Sequence, residues 1–291
     1  MQDDSERVLF GVAGNSESFY AAGFSDLMDV PQYLKNFELE AYEYQCGHGI
    51  RLVPEKAQAF FEVAAKAGLF VSIHSPYYIS LSSLEKSKRE KSVGYILQTA
   101  KLAKQLGAKR VIVHSGSAGK MERCDALEFA KETLKKAKEQ MVLQGLHNVA
   151  LCPETMGKIN QLGTLPEVIE LCLVDESFIP CVDFGHINAR EQGALQEKQD
   201  FEKLLNLVEN KLGADRMKSL HVHFSKIEFT KGGEKKHLTF EDENFGPRFE
   251  NMLDAIIKKG CHPVIICESK GTQAEDARTM KKYYQKHCND S

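Results

Sequence analysis

Six apolar runs along this chain end in a side chain able to bind a metal or move a proton. His74 closes the run in SIHSPYY, His114 the run in VIVHSGS, and Glu154 the run in LCPETMG. Asp183 closes its run in CVDFGHIN, with His186 three residues on; His221 lies in LHVHFSK, and Glu268 closes IICESKG. His237 follows in the long loop after the His221 run. Taken singly, each has an ordinary explanation. A strand-end histidine is usually a hydrogen-bonded structural residue, and an Asp or Glu before a helix is usually an N-cap. The succession is another matter. Glu154, Asp183 and Glu268 brought together without cations would repel and be costly to desolvate. Divalent metal removes that conflict, and imidazole with carboxylate suits zinc, manganese or iron. His223 shares a strand face with His221, which places it near the site, one layer deeper, as support or as a ligand. His48, His147, His262 and His287 lie in loops, at a strand start and near the C-terminus, and read as surface residues.

The elements that must position these groups are short β-type runs alternating with amphipathic stretches. The runs are 8–13, 39–44, 69–74, 110–115, 148–154, 179–184, 219–224 and 262–268. Between them lie helical patterns such as PEKAQAFFEVAAKAG, with Pro54 suited to a first turn and Gly68 to a cap, KSVGYILQTAKLAKQLG and DALEFAKETLKKAKEQMVLQG. Eight βα units predict an α/β fold, a single (β/α)8 TIM barrel over residues 1–291 with a metal site at the C-terminal face of the strands. An open doubly wound sheet is the alternative, but the first turn reads GVAGNSES and lacks the phosphate-loop glycine spacing. Residues 1–7 and the closing KHCNDS are expected to fray.

Composition sets the outer limits. A chain of 291 residues with 42% hydrophobic and 27% charged side chains is that of a soluble globular protein, and no run approaches a membrane span. The acidic N-terminus does not read as a signal peptide, so a cytoplasmic location is expected; a monomer is the expected state. The eight cysteines include no CxxC pair, and several lie in apolar strand-like runs, as reduced core thiols do. A net charge of −3 gives no global attraction for nucleic acid, so DNA binding would need a local basic surface or bound cations.

At these residues the chain resembles the endonuclease IV family, metal-dependent apurinic/apyrimidinic endonucleases of the xylose isomerase-like barrel superfamily. The motifs FGVAG, SIHSPY, VIVHSGS, ETMGK with NQLG, CVDFGHI, LHVHFSK and IICES follow in order. The resemblance implies one ion on His74, His114 and Glu154 and a second on Glu154, Asp183, His221 and Glu268. His186 and His237 match two of the three ligands of a third ion, but the expected aspartate is Lys235. Three arrangements stay open there: an ion completed by Glu234, Asp242 or water, a two-ion site, or Lys235 itself supplying the charge. Zn2+ is the implied metal, with Mn2+ as the other choice. The loop after Glu154 is one residue shorter than in the family, with Ile159 for a glycine, and the loop after His237 reads FEDENFG.

The implied reaction is hydrolysis of the phosphodiester 5′ to an abasic site in DNA, by water that the metal cluster acidifies. Glu154 and Glu268 would be catalytic. Tyr77, a wedge at the lesion, would contact substrate together with Lys235, His223 and Arg51. Lys120, Lys158 and Lys226 are further phosphate-binding candidates. A rival on the same barrel is a sugar isomerase or epimerase acting on a small sugar. It would hold one metal on Glu154, Asp183, His221 and Glu268, with the two glutamates as acid/base pair. Against it stand His74, His114 and His237, which proton transfer does not need. A non-catalytic binding protein on the same fold is the third class.

Overall fold

The computed structural model describes residues 7–288. Seven parallel strands come first: β1 (Leu9–Ala13), β2 (Ala41–Gln45), β3 (Phe70–His74), β4 (Arg110–Val113), β5 (Ala150–Pro153), β6 (Cys181–Asp183) and β7 (His221–Phe224). An antiparallel hairpin follows, β8 (Ile227–Thr230) with β9 (Gly233–His237), and then the last parallel strand, β10 (Val264–Cys267). Hydrogen bonding runs β5-β4-β3-β2-β1-β10-β7-β6. The seam between β5 and β6 is closed by a bridge from Glu154 to Cys181 and by Ile179 N donating to Leu151 O at 3.1 Å. The expected (β/α)8 barrel is therefore present. Each strand lies inside its expected run, except that β2 extends one residue past it. The hairpin was not anticipated; its residues read as loop.

The outer layer is built from α1 (Glu17–Ala21), α2 (Val30–Asn36), α3 (Pro54–Lys66), α4 (Lys86–Leu106), α5 (Arg123–Leu143) and α6 (Leu165–Cys172). It continues through α7 (Phe184–Arg190), α8 (Lys198–Leu212), α9 (Ala214–Lys218), α10 (Phe249–Lys259) and α11 (Gln273–Cys288). Pro54 begins α3, where its missing N–H costs nothing. Ala57, Phe60 and Ala64 form that helix's buried stripe. Gly107 ends α4 in the left-handed region at φ 68°, a conformation glycine adopts without strain. Because α11 continues to Cys288, fraying does not begin at residue 286; residues 1–6 and 289–291 lie outside the described residues. The eight cysteines are unpaired and six of them are buried, as core thiols. Among the described residues no helix is long and apolar enough to cross a membrane.

The large hydrophobic core lies between barrel and helices. The barrel interior is different. It holds two small apolar clusters, Leu9 with Ala41, Phe70, Val264 and Ile266, and Ile112 with Cys152 and Cys181. Around them run buried polar side chains: Glu43, Ser72, Arg110, His221 and His223. A usual barrel fills this space with layers of branched apolar residues. Here space is tight at β1, where a Cβ on Gly11 would lie 2.0 Å from Ala41 O, so only glycine fits.

Candidate metal centre

Parallel strands of a barrel aim their C-terminal ends at one mouth. His74 and Asp183 are the last residues of β3 and β6, while His114, Glu154 and Glu268 each follow the last residue of theirs. His223 is the penultimate residue of β7. Three groups of ligand-type atoms meet here, each within 4.8 Å: His74 with His114 and Glu154; Glu154 with Asp183, His223 and Glu268; and His186 with Glu234 and His237.

Glu154, 1% exposed, is the hub. Its Oε2 lies 3.3 Å from His74 Nε2 and 3.0 Å from His114 Nε2. Its Oε1 lies 3.1 Å from His223 Nδ1 and 3.5 Å from His186 Nδ1. One oxygen thus faces each of two groups, as a bridging carboxylate would. Backbone carbonyls orient the rings. His74 Nδ1 donates to Ser75 O at 2.8 Å, leaving Nε2 turned to Glu154, and His186 Nδ1 donates to Thr155 O at 2.9 Å, leaving Nε2 for Glu234 at 3.4 Å. Asp183 caps α7 through Oδ1, which accepts from His186 N at 2.7 Å. Its Oδ2 lies buried 3.2 Å from His186 Nδ1, whose hydrogen goes to Thr155 O, so it accepts no hydrogen bond and an ion at this place would satisfy it.

The electrostatics agree. Burial opposes the charge on Glu154, yet His223 and His114 beside it hold its carboxyl well below the usual range. Burial pushes Glu268 upward, only partly offset by His223 and His237. Burial also disfavours charge on His186 and His223, but Asp183 beside the first and Cys181, Glu268 and Glu43 beside the second raise both well above the ordinary imidazole value. Metal-free, the cluster is a set of carboxylates balanced by protons on imidazoles. Divalent ions could take the place of those protons, so the donor set, its hub and its orphaned oxygen fit a metal centre.

The third group owes its shape to an irregularity. Pairing along the hairpin steps from Glu228 opposite Lys236 to Phe229 opposite Glu234, leaving Lys235 as the extra residue of a β-bulge. Regular alternation would put Lys235 on the face of His237; the bulge puts Glu234 there instead. Two glycines admit the hairpin. A Cβ on Gly157 would lie 2.6 Å from Glu234 Cβ, and one on Gly233 would lie 2.1 Å from Gly157 O.

Several expectations need correcting. His221 is not at the mouth. It is the first residue of β7, and its Nε2 lies 3.0 Å from Glu43 Oε2 inside the barrel. His223 occupies the place expected for His221, because the residue nearer the C-terminal end of a strand is nearer the mouth. Lys235 points outward, exposed and ion-paired with Glu228, so it supplies no charge to the cluster. Lys226 is held by Phe240 O and Asp242 O. Asp242 Oδ1 accepts from Asn244 N and Phe245 N in a turn, outside the His186 group. Arg51 is exposed and does not line the cavity. Tyr77 does, 56% exposed, with its ring 5.9 Å from His74 and 6.0 Å from His114. Glu43, fully buried beneath the cluster, was missed; the signal was a charge set between tyrosines in a strand.

The cavity above the cluster measures about 510 Å³. Gln45, Gln161 and Gln273 line it with Lys158, the one lysine or arginine among the described lining residues. The buried Oε1 atoms of Gln161 and Gln273 accept no hydrogen bond.

The chain matches the sequence profile of the xylose isomerase-like TIM barrel over residues 32–286. It is 32% identical over 276 residues, 95% of this chain and 97% of the relative, to an uncharacterized protein of Methanocaldococcus jannaschii. It is 26% identical over 237 residues, 77% of this chain and 71% of the relative, to a probable endonuclease 4 of Staphylococcus carnosus. Its fold is similar to that of endonuclease IV from Thermus thermophilus, with a TM-score of 0.70, 19% identity, and 98% and 100% of the two chains covered. It is also similar to a D-tagatose 3-epimerase-like protein, with a TM-score of 0.73, 18% identity, and 97% and 99% covered.

Proposed function

We propose that this chain, which belongs to the xylose isomerase-like TIM barrel family, hydrolyses the phosphodiester 5′ to an abasic site in DNA. The observation that carries the reading is the trio of ligand groups around Glu154, since proton transfer between sugar carbons would need only the central one. His74, His114 and Glu154 would hold one ion. Glu154, Asp183, His223 and Glu268 would hold the second, and His186, Glu234 and His237 the third. Zinc suits this imidazole and carboxylate set. Divalent ions there would supply Lewis acidity, acidifying water and neutralising charge that develops on phosphate.

The chain's own residues do the rest. Glu154, ionised and facing two groups, orients the attacking water, whose proton passes to solvent. Glu268, its Oε1 3.5 Å from His223 Nδ1, would face the same ion as a carboxylate, so the proton for the departing 3′ oxygen comes from water. Lys158 on the wall contacts a phosphate, and Tyr77 on the rim wedges against the sugar where a base is missing.

The test is a duplex oligonucleotide carrying one abasic-site analogue, incubated with and without chelator beside an intact control. Chelator-sensitive cutting on the 5′ side of the lesion is expected. No cutting by metal-loaded protein overturns the reading. One observation favours an epimerase instead: amides of Gln45, Gln161 and Gln273, rather than a basic rim, surround the cluster, and amides suit sugar hydroxyls. In that case one of Glu154 and Glu268 takes a proton from the carbon beside a ketose carbonyl and the other returns one to its opposite face, and a ketose panel reads it.

Glu234 makes a separate prediction. Glu234→Ala should lower bound zinc by one equivalent per chain, read by elemental analysis after dialysis. An unchanged count would remove Glu234 from the third site.

A further inference from the structure

We infer that Glu43 is a positioning residue, fixing the tautomer and ring orientation of His223 so that Nδ1 presents a lone pair to an ion among Glu154, Asp183 and Glu268. The inference rests on the metal-holding reading above and extends it to Glu43, beneath the mouth, which none of the ligand groups includes.

Glu43 is fully buried inside the barrel, where a carboxylate persists only with partners. Four groups surround it. Ser72 Oγ donates at 2.9 Å and Gln45 Nε2 at 3.1 Å; His221 Nε2 lies at 3.0 Å and His223 Nε2 at 3.1 Å. With a donor on each oxygen, Ser72 on Oε2 and Gln45 on Oε1, it is held as a carboxylate. An ionised carboxylate only accepts, so both rings must carry hydrogen on Nε2. For His223 that directs Nδ1 to the cluster, 3.1 Å from Glu154 Oε1 and 3.5 Å from Glu268 Oε1.

The lower end of the column sets the same direction. His221 Nδ1 lies 3.5 Å from Arg110 Nη1, a long contact that only a bare nitrogen can accept. Arg110 is itself fixed, donating to Leu220 O at 3.1 Å and to Ser219 O at 2.9 Å, with its guanidinium 5.5 Å from the Phe70 ring centre. Arg110 thus orients His221, His221 and His223 both donate to Glu43, and His223 turns its free nitrogen to the mouth. A ligand histidine whose far N–H meets a carboxylate is held in place and made a stronger donor.

A merely structural Glu43 would fill space equally well as glutamine. Glu43→Gln is nearly the same shape, but its amide accepts only at Oε1 and donates from Nε2, so it cannot serve both imidazoles. Zinc affinity is measured on the full chain by competition with a chromophoric chelator, alongside the visible absorption of the cobalt-loaded protein. The variant should bind the ion at the His223 group about ten- to a hundredfold more weakly, with its cobalt spectrum altered and the ion on His74 and His114 kept. Equal affinity and an unchanged spectrum overturn the positioning role. Wild type that takes up no zinc overturns the metal reading and this inference with it. Should the variant not fold, nitrogen-15 histidine spectra of zinc-loaded wild type decide. His223 must show hydrogen on Nε2 and none on Nδ1, and the opposite tautomer overturns the proposal.

Discussion

Glu154→Gln should lower the rate of lesion cutting about a thousandfold or more, roughly 4 kcal/mol at 1.36 kcal/mol per tenfold. The size follows from the hub geometry. Oε2 faces His74 and His114 while Oε1 faces His223, so one substitution removes a charge from two ligand groups at once. Glutamine keeps the volume, and the barrel should hold: circular dichroism should match wild type while bound zinc falls. Turnover near the wild-type rate in that variant would sink the mechanism. Loss of activity with the full complement of zinc would instead limit Glu154 to the chemical step.

The second large effect is on stability against pH, and its sign follows from the imidazoles. His74, His186 and His223 have folded values raised above the ordinary one, against the opposing pull of burial, by the carboxylates around them and, for His223, by Cys181 as well. A raised histidine stabilises the fold fully below its unfolded value, near 6.5, and that stabilisation is lost as pH rises through the folded value. His114 and His221 are shifted downward by burial, and their contribution is complete above about 6.5. Above neutrality the raised histidines act in the same direction as the buried thiols, which burial raises and which cost stability only as pH nears 9. The metal-free chain should therefore lose thermal stability from pH 7 toward pH 9, as its carboxylates lose their counter-ions. Zinc should reverse this, with a gain that grows with pH because binding then displaces fewer protons. At a free ion concentration a hundred times the dissociation constant the gain is about 2.7 kcal/mol, roughly 5 °C or more in Tm. Differential scanning fluorimetry with and without chelator reads it. A metal-free Tm that rises across that range would contradict the assignment of these histidines to a charged cluster.

The barrel was legible because alternation of apolar runs with amphipathic helices is a long-range pattern that survives errors of a residue or two at each end. The mouth was legible because strand ends are where a parallel barrel aims its side chains, and His74, His114, Glu154, Asp183 and Glu268 all lie within one residue of one. His221 and His223 escaped for a stated reason. Period two puts both on the inner face, and only the direction of the strand separates floor from mouth; applied to LHVHF, that direction selects His223. Glu43 belongs to the same inner face as Ala41 and Gln45, yet a single carboxylate in a strand gives no hint of its partners, three of which come from β3 and β7. Glu234 was weighed only as one way to complete a site. Alternation on β9 pairs His237 with Lys235, and no local pattern in GGEKKH announces a bulge.

That bulge makes the polarity of one wall a matter of backbone phase. Were the hairpin to relax into regular alternation, Glu234 would turn outward and Lys235 inward, a swing of two charge units beside His186 and His237. The same five residues, Gly233 to His237, thus encode an ion-holding wall or an ion-repelling one, and the choice lies in a single step of strand register. Among diverging copies of this barrel, lengthening or shortening the turn at Lys231 and Gly232 would be a short route between the two, with no ligand residue replaced.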